Sequence, residues 1–355
     1  MSATLCVQCD GPFEPRSSSQ RYCSTRCRWD HSNGRAPALS RMRREHGFAW
    51  PPVNHAQPVT VKIPRGVSPD PVSYDRVAIV LPDTQYGFWR CGTEMIPTHD
   101  PLAISAALAV CEIVRPDVIV HLGDVLDLPE FGRYQQEPGF AMTTQAALDV
   151  AHRDLACFRA LCDEMYALEG NHDARITNAV IANSKAAAGI LQANPTPEDW
   201  PVLSVPHLLR LGYLGIEWVD GYPVSVKYLN DNLACIHGTV TGPRAVEKTL
   251  DDERVSVIFG HTHHAALGFK TRNSRGKMKQ SLAYSPGTLS AIDGRVPGTK
   301  AGLHRRTGRP VKSWQDWQQG IGLVYFTPGD GPFHVEHVPI IEGVALFRSQ
   351  RITAG

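Results

Sequence analysis

Residues 259 to 265 read FGHTHHA, three histidines within four positions directly after the apolar run VSVIF. A glycine allows a sharp turn there, and an extended backbone beyond it would throw the rings of His261 and His263 to one side. Two imidazoles held side by side suit a metal ion. Four other apolar runs also stop at metal-capable residues: Asp83 after VAIVLP, Asp124 after VIVHLG, Asn171 and His172 after YALEG, and His237 after LACI. In an open α/β sheet, ligands bind beyond the carboxyl ends of the strands, so these side chains should converge. Even with His172 set aside, two aspartates, one asparagine and three histidines exceed the three or four protein ligands of a single zinc ion, and the set fits two metals better.

The elements that would carry these residues follow from periodicity. RVAIVLPD and DVIVHLGD read as buried strands, DPLAISAALAVCEIVR between them as a helix, and MYALEGNHD as a further strand after a helix from Thr143 to about Cys162. The stripe Ala147, Leu148, Ala151, Leu155, Phe158, Leu161 and Cys162 marks the core face of that helix. Strands alternating with helices imply a largely parallel α/β arrangement. Downstream, ITNAVIANSKAAAGIL and a segment near 206–213 read as helices, and GIEWVD, NLACIHG and RVSVIFGH as strands. A helix between the last two is predicted to start at Thr241 or Gly242, with Pro243 early in its first turn. HAALGFKT, KQSLAYSPGTLS, IGLVYFTP and FHVEHVPII read as hairpins of a second sheet.

The blocks Asp83-x-Gln85, Gly123-Asp124-x-x-Asp127, Gly170-Asn171-His172-Asp173, His237-Gly238 and Gly260-His261-x-His263 occur in that order. This series resembles the calcineurin-like metallophosphoesterase superfamily over residues 76 to about 345. The resemblance implies a four-layer α/β/β/α sandwich and hydrolysis of phosphate esters by a hydroxide that two divalent metals activate. It assigns Asp83, Gln85, Asp124 and His263 to one ion and Asp124, Asn171, His237 and His261 to the other, with Asp124 bridging. It makes His172 a catalytic residue that meets the phosphate or protonates the leaving oxygen, with Asp127 orienting its ring. Gln85 stands where the family has histidine. An amide oxygen is the weaker donor towards zinc or iron, so Mn²⁺ is the expected ion, with Mg²⁺, Zn²⁺ or Fe as alternatives. The phosphoprotein phosphatases of the superfamily follow Asp127 with Arg-Gly, whereas this chain continues Leu128, Pro129 and Glu130. Arg133 and Arg175 are the candidates for a replacement phosphate clamp.

At the amino terminus, Cys6, Cys9, Cys23 and Cys27 form C-x2-C and C-x3-C pairs thirteen residues apart. Such spacing resembles a zinc ribbon or knuckle, in which one structural Zn²⁺ folds an otherwise coreless segment. Arg21, Tyr22, Arg26, Arg28 and Trp29 around these cysteines suit contact with phosphate and bases, and equally a purely structural module. Three segments and a tail are expected: the module at 1–30, a Pro/Arg-rich linker at 31–74, the hydrolase domain at 75–345 and a tail at 346–355.

Other residues carry plainer readings. His121 reads as a satisfied sheet histidine, and His264 should point away from His263. RMRREH at 41–46 reads first as a solvated run. Trp314 and Trp317 could pack on the core or stack on a base, and Cys91, Cys111, Cys157, Cys162 and Cys235 read as reduced packing residues.

A net charge of +1 over 355 residues gives no overall attraction to polyanions, but eight arginines and four acids within residues 1–50 leave +4 there and −3 elsewhere. No stretch reads as a signal peptide or membrane span, and an odd count of nine cysteines argues against a disulfide framework, which points to the cytoplasm. The zinc module and arginine bias make a nuclease acting on DNA or RNA the leading expectation. A phosphomonoesterase or small-nucleotide phosphodiesterase is the alternative within enzymes, and a nucleic-acid-binding protein with a non-catalytic metal centre the alternative outside them. Nothing in the sequence marks an interface, and a dimer is compatible with it.

Overall fold

The computed structural model describes residues 4–8, 12–15, 17–32, 74–132, 138–274, 276–296 and 316–353. The chain forms two compact units, Met1–Pro71 and Val72–Gly355. In the first, β1 (Thr4–Leu5) and β2 (Pro12–Phe13) pair antiparallel ahead of one helix, α1 (Thr25–Ser32). Most of the expected linker, residues 33–73, lies outside the described residues, as do Cys9, Arg133, Trp314 and the run 41–46.

The second unit contains two sheets. The larger is built on parallel β3 (Arg76–Leu81), β6 (Val118–His121), β7 (Glu164–Leu168) and β8 (Glu217–Val219). A hairpin, β4 (Phe88–Cys91) with β5 (Glu94–Pro97), stands apart from it. The smaller sheet holds β9 (Val226–Asn230), β10 (Leu233–Ile236), β11 (Ser256–Phe259), β12 (Ala265–Ser274) and β13 (Lys277–Pro286), in the order β12-β13-β11-β10-β9. β14 (Gln319–Phe326) returns to pair antiparallel with β3, and β15 (Phe333–Ile341), β16 (Val344–Phe347) and β17 (Gln350–Ile352) extend the larger sheet beyond it.

Helices cover both outer faces. α2 (Pro101–Val114) and α3 (Thr144–Arg159) pack on the larger sheet around Ile79, Leu81, Ile119, Ala167, Ile321 and Leu323. α4 (Ala174–Asn183), α5 (Val205–Leu208) and α6 (Leu211–Leu214) follow. α7 (Ala245–Asp252) covers the smaller sheet through Ala245 and Leu250 against Ala234, Val257, Phe259 and Ala283. Between the sheets lie Val80, Val120, Leu122 and Val324 from one and Leu233, Cys235, Ile258 and Tyr284 from the other. The result is the expected α/β/β/α layering. β3 after Arg76 and β6 before His121 are apolar because both faces are buried, and each buried Val, Ile or Leu there contributes roughly 1.5–3 kcal/mol.

Several expectations are corrected. The helix expected to run to Leu191 stops at Asn183, where Ser184 leaves helical geometry ahead of a single tight turn at Lys185–Ala187. The helix near 206–213 is two one-turn pieces, α5 and α6, split at Arg210 with φ of 54°. α7 starts at Ala245, after Arg244, so Thr241, Gly242 and Pro243 belong to the preceding turn. The second C-terminal hairpin joins the larger sheet, since β14 finds its partner in β3. Residues 346–352, expected as tail, are paired in β16 and β17. The stripe on α3 is buried as expected from Ala147 to Phe158, while Leu161 and Cys162 lie past the helix end, half-buried against the same core. Cys111 and Cys235 are packing residues, but Cys157 is exposed. Among the described residues no helix is long and apolar enough to cross a membrane.

Candidate metal centre

Five parallel strands, β3, β6, β7, β10 and β11, deliver the candidate residues at their carboxyl ends. The loop after β3 is laced to the loop after β6: Gln85 N–H donates to Asp124 O, Tyr86 N–H to Val125 O, and Asp127 N–H back to Tyr86 O, at 2.8–3.0 Å. Thr288 and Leu289, just past β13, fix Asp83 O from the other side, each at 2.9 Å. Asp173 ties the third loop in, accepting from Val125, Leu126 and Gly170 N–H at 3.0–3.2 Å. Burial and the neighbouring Asp124 push its pKa up to about 7 against those three donors.

Backbone strain collects at the same place. Gln85, Asp124, His261 and His263 have φ of 47°, 51°, 67° and 58°, a region that costs a side-chain-bearing residue of order 1–3 kcal/mol. The loop after Gly260 is therefore not the extended chain expected from alternation. Left-handed turns at His261 and His263 separate the rings: His261 faces His237, ring centroids 5.1 Å apart, and His263 Nε2 meets Asp83 Oδ2 at 3.0 Å. Two glycines permit the crowding. A Cβ on Gly170 would lie 2.2 Å from Asp124 N and Oδ1, and one on Gly260 2.4 Å from Asp83 Oδ1.

Three of the expected donors come together in one group. Asp124, His237 and His261 place one ligand atom each within 4.8 Å of one another. His237 Nε2 is 3.0 Å from Asn171 Oδ1 and 3.5 Å from Asp124 Oδ1. Its other nitrogen, Nδ1, lies 2.9 Å from Leu122 O, so Nδ1 carries the proton and the Nε2 lone pair faces two oxygen lone pairs. Such a cluster of acceptors is satisfied by a cation. Gln85 Oε1 is buried with no hydrogen-bond partner, a second acceptor awaiting one. Asp83, fully buried, takes both oxygens to His261 N–H at 3.0 Å. Burial alone would raise Asp83 and Asp124. The rings of His263 and His237 beside Asp83, and of His237 and His172 beside Asp124, outweigh it and hold both below the ordinary carboxylate range. Burial, then His237, lowers His261 to about 4, leaving a neutral imidazole suited to coordination. Asp124, His237 and His261, with the Asn171 oxygen beside His237, fit a divalent metal.

His172 has different company. Its Nδ1 lies 2.8 Å from Asp127 Oδ1 and its backbone N–H donates to Asp124 Oδ1 at 2.7 Å. Arg175 donates through Nη2 to His172 Nε2 at 2.8 Å and through Nη1 to Asp127 O at 2.6 Å. A guanidinium cannot accept, so here Nε2 is bare and Nδ1 holds the proton. Burial pulls the His172 pKa down, but Asp124 and Asp127 outweigh burial and Arg175 together, and the net shift is upward.

Sequence reasoning missed some of this machinery. Trp317 stands edge-on to the His263 ring at 4.1 Å, while Gln318 N–H donates to His263 O at 3.0 Å. Tyr222 meets His237 with centroids 5.7 Å apart, its backbone N–H held by Glu169. Histidine 121 is satisfied as expected: Gly123 N–H donates to Nδ1, so Nε2–H donates to Thr84 Oγ1 at 3.0 Å. His264 turns away, its Nδ1 4.0 Å from Asp316. Arg175 sits on the His172–Asp127 pair, a place its spacing of three from His172 could have signalled once both were on one turn.

A family model spans most of these residues. Residues 98–265 match the family model of the calcineurin-like phosphoesterases, a span that takes in Asp124, Asn171, His172, His237, His261 and His263. "Gene 54 protein" of Mycobacterium phage D29 is 25% identical over 278 residues, covering 75% of this chain and 94% of the phage protein. Its namesake in Mycobacterium phage L5 is 24% identical over 280 residues, with the same coverage of 75% and 94%. Among solved structures, Yfce, a phosphoesterase from E. coli, aligns over 79% of this chain and 100% of its own at 12% identity and a TM-score of 0.32.

Proposed function

We propose that this chain, whose residues 98–265 match the family model of the calcineurin-like phosphoesterases, is a metal-dependent phosphoric ester hydrolase and that its substrates are phosphodiesters of DNA or RNA. Arg175 carries this reading. A monoester presents a dianionic terminal phosphate, which enzymes commonly grip with a free guanidinium. Here the guanidinium beside the site is committed to Asp127 O and His172 Nε2, which suits the single negative charge of a diester. Two features of the chain favour a polymer. Residues 297–315 carry Lys300, Arg305, Arg306, Arg309 and Lys312 with no acid, and the sequence then reaches Trp317 beside His263. Residues 181–198 are exposed apart from Ala187, so this segment makes no buried cover such as a small closed substrate pocket would need.

In this reading Asp83, Gln85, Asp124 and His263 hold one ion, and Asp124, Asn171, His237 and His261 the other. Such a pair, when bound, polarises the phosphoryl oxygens and supplies a strong oxygen nucleophile near neutral pH. The chain's own residues do the rest. Asp127 fixes the His172 ring and places its proton at Nδ1, directing Nε2 to the site. For His172 to serve the leaving oxygen, Nε2 must carry a proton taken from solvent, so Nη2 of Arg175 gives way there while Nη1 stays on Asp127 O.

The test offers the full chain with Mn²⁺ single-stranded DNA, duplex DNA, RNA, a chromogenic diester and a chromogenic monoester. Cleavage of a nucleic acid and of the diester is expected. Turnover of the monoester alone would move the assignment to a phosphomonoesterase. Tight DNA binding with no turnover at all would leave a binding protein with an idle metal centre.

A further inference from the structure

The amino-terminal unit has no use in the chemistry above, and its described residues form no apolar core. Among its described residues only Cys6 and Gln8 are buried, and its aliphatic side chains Leu5 and Val7 are 56% and 44% exposed. Two strands of two residues and an eight-residue helix do not hold together at that size by propensity. Yet the geometry around the cysteines is specific. Val7 N–H donates to Arg21 O at 3.0 Å, which brings the loop after β1 against the segment leading into α1. Ser24 caps α1, accepting from Cys27 N–H at 3.1 Å and so setting Cys27 in the first helical turn. Cys6, Cys23 and Cys27 then lie with their sulfurs within 4.8 Å of one another, the last two 3.5 Å apart.

We propose that Cys6, Cys23 and Cys27 are thiolate ligands of a structural Zn²⁺, independent of the hydrolase centre, and that this ion is what folds the amino-terminal unit. Sulfurs 3.5 Å apart are too far for a disulfide and suit neighbouring vertices of a tetrahedron around an ion about 2.3 Å from each. Binding releases the thiol protons to solvent. Three sulfurs leave one vertex of the tetrahedron; Cys9, the fourth cysteine of the sequence pattern, lies outside the described residues. The soft all-sulfur set selects Zn²⁺, whereas the aspartate, amide and imidazole donors elsewhere accept Mn²⁺ or Mg²⁺. The two centres therefore sort metals by chemistry.

Cobalt substitution of the full chain distinguishes them. Co²⁺ held by thiolates gives a near-ultraviolet sulfur-to-metal charge-transfer band, which oxygen and nitrogen donors do not give. The wild type is expected to show the band and to contain about one zinc that resists exchange by Mn²⁺. Cys6→Ser and Cys23→Ser should each abolish the band and that equivalent of zinc, while Asp124→Asn keeps both. Because serine in place of a cysteine can unfold so small a unit, a second measurement uses unsubstituted protein. Thiol-blocking reagent should release zinc to a chromogenic chelator in step with modified cysteines. No band in the wild type, a band unchanged in both cysteine variants, or a Cys23–Cys27 disulfide in the purified chain would overturn the proposal. Failure of hydrolysis would leave the band in place, so the two readings fall separately.

Discussion

Gln85 is an amide where the resemblance to the calcineurin-like phosphoesterases implies an imidazole, and its Oε1 is buried without a partner, so the choice of donor is open to direct measurement. Gln85→His should tighten Mn²⁺ and, more strongly, Zn²⁺ by roughly tenfold at that site, read by metal titration of chelator-stripped protein. Indistinguishable curves would remove Gln85 from the ligands. At His172 the account predicts a split in the kinetics. Asp127→Asn and Arg175→Ala both loosen the ring without touching the metal donors, so kcat should fall about 10–100-fold with KM little changed. A rise in KM alone for Arg175→Ala would instead make it a phosphate clamp. Gly170→Ala forces a Cβ to within 2.2 Å of Asp124 N and Oδ1. It should cost about 1–3 kcal/mol, visible as a lower urea midpoint, and displace the bridging carboxylate.

Elements matter because they aim these residues. Asp100 caps α2, its Oδ1 accepting from Leu102 and Ala103 N–H while Oδ2 accepts from Gln319 Nε2 on β14. Asp100→Ala should cost about 2 kcal/mol in denaturant unfolding. Next to it, His99 is buried with Nδ1–H on Gly87 O at 3.2 Å, and burial lowers its pKa from 6.5 to about 4 although that bond and Asp154 pull the other way. The unfolded chain therefore takes the proton first. Stability at this residue is present above pH 6.5 and is lost as pH falls towards 4, by up to about 3 kcal/mol. His99→Gln should flatten that part of the acid-unfolding curve. The strand-end residues were legible in sequence because a buried parallel strand is an uninterrupted apolar run, and such a run announces where it stops. β9 and the β4–β5 hairpin were not, since short mixed segments such as VKYLN lack a period to read. Nor was the home of β14, because pairing with β3 some 240 residues earlier is decided by tertiary contact.

On the scale of the molecule, the order of the blocks told more than any single one. Asp83 and His263 stand 180 residues apart and meet at 3.0 Å, a closure that only the two facing sheets can make. What spacing could not show was conformation: left-handed turns at His261 and His263 send a presumed pair of neighbouring rings to different partners, His261 to His237 and His263 to Asp83. The amino-terminal unit is the remaining piece. If it grips nucleic acid, removing residues 1–30 should weaken cleavage several-fold at physiological salt and reduce the salt dependence, while leaving a small chromogenic diester unaffected.

The central claim is a dinuclear centre bridged by Asp124, and counting bound Mn²⁺ tests it most directly. Equilibrium titration of the chelator-stripped full chain should give about two Mn²⁺ per molecule, and Asp124→Asn should lose tight binding at both positions. No Mn²⁺ bound by the wild type, or the same two ions in the variant, would contradict it.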